Sequence, residues 1–160
     1  MSKPAFFRYF DVNALAQSMQ MSPAQVMIYF SDGRRAAFWF ESTVAKKLGV
    51  EPVTAQGSPY DVKDLSGRKW EVRTLTQNGI FFDPSGKHGT GRAYNEADFL
   101  NKLKQITGFY VGDLTQFPQV PFYRLSAATI YAWHRSGQMK KATIQSADKV
   151  RRLILAAPTF

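Results

Sequence analysis

The sequence predicts an α/β fold, a mixed central β-sheet flanked by helices. Three observations carry that expectation. Arg34 to Leu48 places apolar residues at helical spacing. Ser58 to Leu75 reads as two short strands joined by a Ser66-Gly67 turn. The order helix, strands, helix, strand, strand, helix suits a sheet covered by helices. With 160 residues, 44% of them hydrophobic and 14% aromatic, the chain has material for one compact domain with its own core. No repeat, low-complexity tract or linker divides it. We divide it into a helical N-terminal region (1–33), a central core (34–128) and a basic C-terminal region (129–160).

Each element has a local signal. Asp11 is an N-cap for a short helix through Met19, and Ser22-Pro23 opens a second with proline at its first position. Asp32-Gly33 interrupts the helical run. The next helix carries Ala37, Phe40, Val44 and Leu48 on one stripe and stops at Gly49. After the two strands, Gly79–Phe82 is a candidate third. Asn95 caps a helix to about Ile106 with Phe99, Leu103 and Ile106 on one side. Phe109–Leu114 and Phe122–Leu125 read as strands around two proline turns, and Ser126 begins a helix through Trp133. The tail from Lys140 to Leu155 holds a strand and a short helix.

Composition narrows the chemistry. Without cysteine there are no disulfides, thiolate zinc sites or thiol nucleophiles, which fits a reducing, cytoplasmic setting. Two histidines are too few for a multi-histidine metal centre, leaving oxygen ligands, which favour magnesium or manganese. No apolar run nears the ~20 residues of a membrane span, and Arg8 and Asp11 interrupt the apolar residues near the start. The net charge of +9 suits a polyanionic partner such as nucleic acid, although solubility alone can explain basic charge.

The candidate chemistry begins with Glu41, which borders the apolar stripe of its helix. A carboxylate there must be solvated, paired or coordinated. It reads equally as an ordinary boundary glutamate. On the second strand, Trp70, Val72 and Thr74 share one face, while Lys69, Glu71, Arg73 and Leu75 share the other. Three charges on one face suit a cleft, or a solvated hairpin face with a cross-strand ion pair. Asp61 precedes this strand. The loop from Gly86 to Arg92 offers Lys87, His88 and Arg92 among glycines, either as phosphate or base contacts or as a plain surface turn. Gln77 and Asn78 follow the charged strand and could reach a groove. Lys140, Lys141, Lys149, Arg151 and Arg152 either track a polynucleotide backbone or stay solvated.

Taken together, the helix Glu41, then Gly57-Ser58-Pro59-Tyr60-Asp61, then Gly67-x-x-x-Glu71-x-Arg73 resembles the PD-(D/E)XK nuclease superfamily. The resemblance covers roughly Arg34 to Leu75, with compatible elements to about Ala128. It implies a restriction-endonuclease-like fold, with 34–128 as catalytic core, and a magnesium- or manganese-dependent endonuclease. By matching positions, Glu41, Asp61 and Glu71 would hold the metal, with the Val72 carbonyl as a further ligand. Tyr60 separates Pro59 from the aspartate, and Arg73 stands where the family usually has lysine. A guanidinium keeps its proton, so Arg73 would orient hydroxide and offset charge on the phosphorane rather than act as base. Lys87, His88, Arg92, Gln77 and Asn78 would contact DNA.

The resemblance further implies restriction-type, site-specific cleavage of double-stranded DNA, leaving 5′-phosphate and 3′-hydroxyl ends. One site per chain makes a double-strand cut the work of a homodimer. Phe6, Phe7, Phe10, Met19 and Met21 are the expected pairing surface. A junction-resolving nuclease of the same superfamily, a non-catalytic DNA-binding protein and, lower, a ribonuclease are the other readings.

Overall fold

The computed structural model describes residues 2–55, 57–83 and 93–160. It forms a mixed α/β fold: a mixed sheet flanked by helices. The chain runs β1 (Phe6–Tyr9), α1 (Val12–Met19), α2 (Pro23–Tyr29), α3 (Gly33–Leu48), β2 (Val62–Lys63), β3 (Lys69–Leu75) and β4 (Ile80–Phe81). It continues through α4 (Glu96–Gln105), β5 (Gly108–Asp113), a 3-10 turn (Leu114–Gln116), β6 (Gln119–Ser126), α5 (Ala127–Arg135), β7 (Thr143–Ile144) and α6 (Ala147–Ala156). The main sheet has the order β1-β6-β5-β3-β2, and β4 pairs with β7 in a separate ribbon. β3 and β5 are parallel, whereas the other neighbours are antiparallel.

Capping explains where the helices begin. Asp11, Ser22, Asp32, Asn95, Ser126 and Ser146 each accept a backbone N–H in the first turn of the helix that follows. At α2 the Ser22 and Gln25 side chains cap reciprocally.

The N-terminal region, expected to be helical, opens with a strand instead. Phe6 to Tyr9 pairs with β6 in register with Phe122 to Gln119. Phe6 stacks on Phe122 at 4.7 Å, and Phe10 packs against Trp39, Phe40 and Phe117. Met19 and Met21 pack on the cluster around Val26 and Phe30. Four of the five residues expected to pair two subunits are thus wholly or partly used within the chain, and Phe7 alone of that set stays well exposed, at 59%.

The sheet separates two cores. On one face, Trp70, Val72, Tyr110, Val120 and Phe122 meet α3 through Ala36, Phe40 and Val44. On the other, Leu75, Phe109, Val111 and Leu125 meet Phe99, Leu103, Ile130, Trp133, Val150 and Ile154 of α4, α5 and α6. Alternation along β3 assigns its side chains to these faces, as strand geometry requires. Two glycines set how near α3 lies to the sheet. A Cβ on Gly112 would stand 2.5 Å from the Phe40 ring, and one on Gly33 would stand 2.8 Å from the Thr76 methyl. Neither has room for a methyl group.

Candidate functional site

The site lies where β2 leaves β3. The β2–β3 ladder pairs only Val62 with Trp70 and Lys63 with Lys69, so the edge of β3 beyond Trp70 lacks a neighbouring strand. Asp61 takes the strand's place. Its N–H donates to Trp70 O at 2.9 Å, and its Oδ2 accepts from Val72 N at 2.8 Å. A carboxylate thereby satisfies an edge donor that a longer β2 would have bonded.

Beside this edge opens a cleft of about 660 Å3, lined among others by Arg34, Glu41, Val72, Arg73, Asn78 and Asp83. Two elements bring charges to it. α3 presents Glu41 from one face of the sheet. β3 contributes Arg73 from the other, and Glu71 of β3 and Lys102 of α4 are buried together behind Arg73, outside the lining. Glu71 is 1% exposed, with Oε1 ion-paired to Lys102 Nζ and Oε2 to Arg73 Nη2. The Arg73 guanidinium also donates to Val72 O and to Asp83 O, each at 3.1 Å. It reaches to 3.9 Å from Asp61 Oδ2. It therefore bridges Asp61 and Glu71.

The expected open cleft over the charged face of β3 is corrected by this arrangement. α4 covers that face, Leu75 joins the core, and Glu71 is enclosed with its cations. The cleft opens along the strand's edge.

Electrostatics distinguish the acids. Burial, the nearby Asp61 charge and then Glu71 push the Glu41 carboxyl up to about 7, against the opposing pull of Arg73. Glu41 has no hydrogen bond or ion pair among the described residues. Burial also raises Glu71, against the attraction of Arg73 and Lys102. For Lys102, 8% exposed, burial lowers the ammonium pKa despite the opposing Glu71 charge. A buried lysine can release its proton far more readily than an arginine.

Of the residues singled out in the sequence, Glu41, Val72, Arg73 and Asn78 line one cleft. Asp61 and Glu71 join them through Val72 N and the Arg73 guanidinium. Among the described residues no three acidic or histidine side chains form a ready metal-ligating cluster. The Val72 carbonyl, expected as a metal ligand, accepts from Arg73. Gln77 and Asn78 form a tight turn closed by Thr76 and Gly79, with Asn78 at the cleft. Lys87, His88 and Arg92 lie outside the described residues. No helix among the described residues is long and apolar enough to cross a membrane.

Compared with protein-family models, curated proteins and solved structures, the chain matches none. Its function is therefore argued from its own side chains.

Lys102 escaped the reading of the sequence, yet it carried a signal. It sits three residues after Phe99 and beside Leu103, inside the apolar stripe of α4. A lysine in such a stripe needs a buried partner, and Glu71 is that partner.

Proposed function

We propose that this chain is a metal-dependent DNA endonuclease of the PD-(D/E)XK kind, cutting phosphodiester bonds of duplex DNA in the restriction-type manner. The observation that carries the reading is Glu41: a half-buried carboxylate with no hydrogen bond or ion pair among the described residues, in a cleft it shares with Arg73, whose guanidinium links Asp61 and Glu71. An acid left in that condition suits a cation supplied from outside.

The donors fit magnesium or manganese in kind, since Glu41, Asp61, Glu71 and the Val72 carbonyl all offer hard oxygen. Glu41 and Asp61 would hold the ion, with Glu71 joining when it exchanges its cations. When bound, the ion supplies a water of lowered pKa. The chain's own groups do the rest. Arg73, fixed by Glu71, Val72 O and Asp83 O, offers a stationary positive charge for a phosphoryl oxygen. Lys102 is the group able to take or relay a proton, a role the guanidinium cannot fill. Cutting both strands would require two copies of the chain, as one chain offers one such site.

The test is digestion of plasmid DNA with magnesium, alongside calorimetric titration of the ion. Magnesium-dependent cleavage abolished by Asp61→Asn is the expected outcome. Discrete sites on linear duplex identify a restriction-type enzyme, whereas cleavage confined to four-way junctions moves the assignment to a junction resolvase. A non-catalytic DNA-binding protein is the second reading, favoured by the engagement of both Glu71 oxygens with cations. DNA binding by the wild-type chain with no cleavage and no magnesium binding would establish it over the first.

A further inference from the structure

A second cavity, of about 580 Å3, opens against the β4–β7 ribbon, and its lining includes Phe81, Lys140, Lys141, Thr143, Ser146 and Lys149. Among the described residues no aspartate or glutamate lines it. None of the three lysines has an ion pair among the described residues. Their neighbour Arg151 differs, being held by Asp113 at 3.0 Å and Asp148 at 2.7 Å. The basic tail therefore divides into a cation that fastens α6 to the sheet and lysines left to attract something else.

The backbone explains the crowding of charge. Adjacent residues in a strand point to opposite sides, which would separate Lys140 from Lys141. Here Lys141 and Ala142 adopt left-handed φ values of 50° and 55°, within a tight turn closed by backbone bonds between Lys140 and Thr143. Both lysines consequently line one cavity. Ala142 is fully buried, so core packing holds the bend in place. Register then sets the location: Phe81 pairs with Thr143, and Phe81 lines both this cavity and the acid-bearing cleft.

Resting on the nuclease reading, we propose that this cavity holds backbone phosphates of the strand whose scissile group occupies the cleft, so that the substrate is an extended polynucleotide crossing β4 and not a small phosphate ester. The acids at the cleft, Glu41 in its lining and Asp61 beside Val72 and Arg73, repel a polyanion. Lysines one side chain away supply the opposing attraction, and each phosphate they neutralise releases counterions.

Binding of a labelled DNA oligonucleotide, followed by fluorescence anisotropy in EDTA across a salt series, tests this without cleavage. The Lys140→Ala/Lys141→Ala/Lys149→Ala variant is expected to lose up to about 3 units of the log K against log salt slope on duplex DNA and at least ~10-fold in affinity. Its thermal melting should match the wild type, since these lysines make no described ion pair. Unchanged slope and affinity in that variant, or a wild-type chain that binds no DNA at low salt, overturn the proposal. Binding lost in the triple variant, with no magnesium-dependent cleavage by the wild type, leaves the phosphate track standing and removes the nuclease reading. Wild-type cleavage with undiminished triple-variant binding does the reverse.

Discussion

Asp64 and Glu71 are buried acids on the same β2–β3 hairpin, and they are handled in opposite ways. Asp64, 8% exposed, is surrounded by donors. Its Oδ1 accepts from Ser66 N at 3.0 Å, Ser66 Oγ at 2.7 Å and Arg68 N at 2.9 Å. Its Oδ2 accepts from Arg68 Nε at 2.8 Å and Trp70 Nε1 at 3.0 Å. These bonds outweigh the cost of burial and hold its carboxyl well below the usual range. Glu71 instead has two side-chain cations, and its carboxyl is raised because burial outweighs them. One acid satisfies the backbone of a turn. The other sits among charges that compete, near a Glu41 with no hydrogen bond or ion pair among the described residues. Position in a motif does not tell the two apart, but the number and kind of donors around each oxygen does.

The comparison can be broken in four ways, beginning with the largest effect. Asp61→Asn should cut magnesium-dependent cleavage by on the order of 10³-fold or more, about 4 kcal/mol of transition-state stabilisation, while urea unfolding changes little. Equal losses of activity and stability would instead place Asp61 with Asp64 as a structural acid. Asp64→Ala should show the reverse. It strands the Trp70 indole N–H and two backbone donors, and should cost about 3 kcal/mol in urea unfolding, with cleavage per folded molecule retained.

Lys102→Met tests whether the Glu71 pair is functional. The methionine keeps the length of the side chain but removes the proton carrier, and cleavage should fall by roughly 10²-fold. A shift in the pH–rate profile would separate proton handling from simple packing, and a variant with unaltered rate would remove Lys102 from the mechanism.

The smallest effect is on stability at Glu41. Its folded pKa of about 7 lies above the ordinary 4.5. The native chain therefore holds a proton that the unfolded chain has released between those values, and stability falls as pH rises through that window. Glu41→Gln removes the penalty. Its advantage over wild type should be absent below about pH 4.5, grow to about pH 7 and then level near ~1 kcal/mol, after discounting for partial exposure. Urea midpoints at pH 4 and pH 8 that differ equally for both proteins would show that Glu41 is not under strain.

Much of the local structure was legible because its causes are local. Asp11, Ser22, Asn95 and Ser126 marked helix starts, and the stripe from Ala37 to Leu48 marked α3, because caps and periodicity act within a few residues. What the sequence hid was long-range. Phe6-Phe7-Arg8-Tyr9-Phe10 is apolar at both parities, so no alternation announces a strand, and only pairing with β6 makes it one. Gly79–Phe82 was visible as a strand, but its partner β7 lies far along the chain. The charged side of β3 was assigned to the correct face. That α4 would cover it, and Lys102 would meet Glu71 there, depends on a crossover that no local pattern encodes. The convergence of Glu41, Asp61 and Glu71 beside Arg73 was inferred from a motif; Glu41 and Arg73 do line one cleft with Asp61 next to Arg73, whereas Glu71 lies buried behind them with its cations, so the chemistry rests on the variants above.

Gly112 touches none of the acids, yet it works as a spacer for the whole site. Because a hydrogen there lets the Phe40 ring settle against β5, the depth at which α3 carries Glu41 is calibrated from the far side of the core. Bulk added at that single backbone position would lift the helix and loosen the acid's standoff without altering any charged group, so the cleft can be detuned remotely, by packing alone.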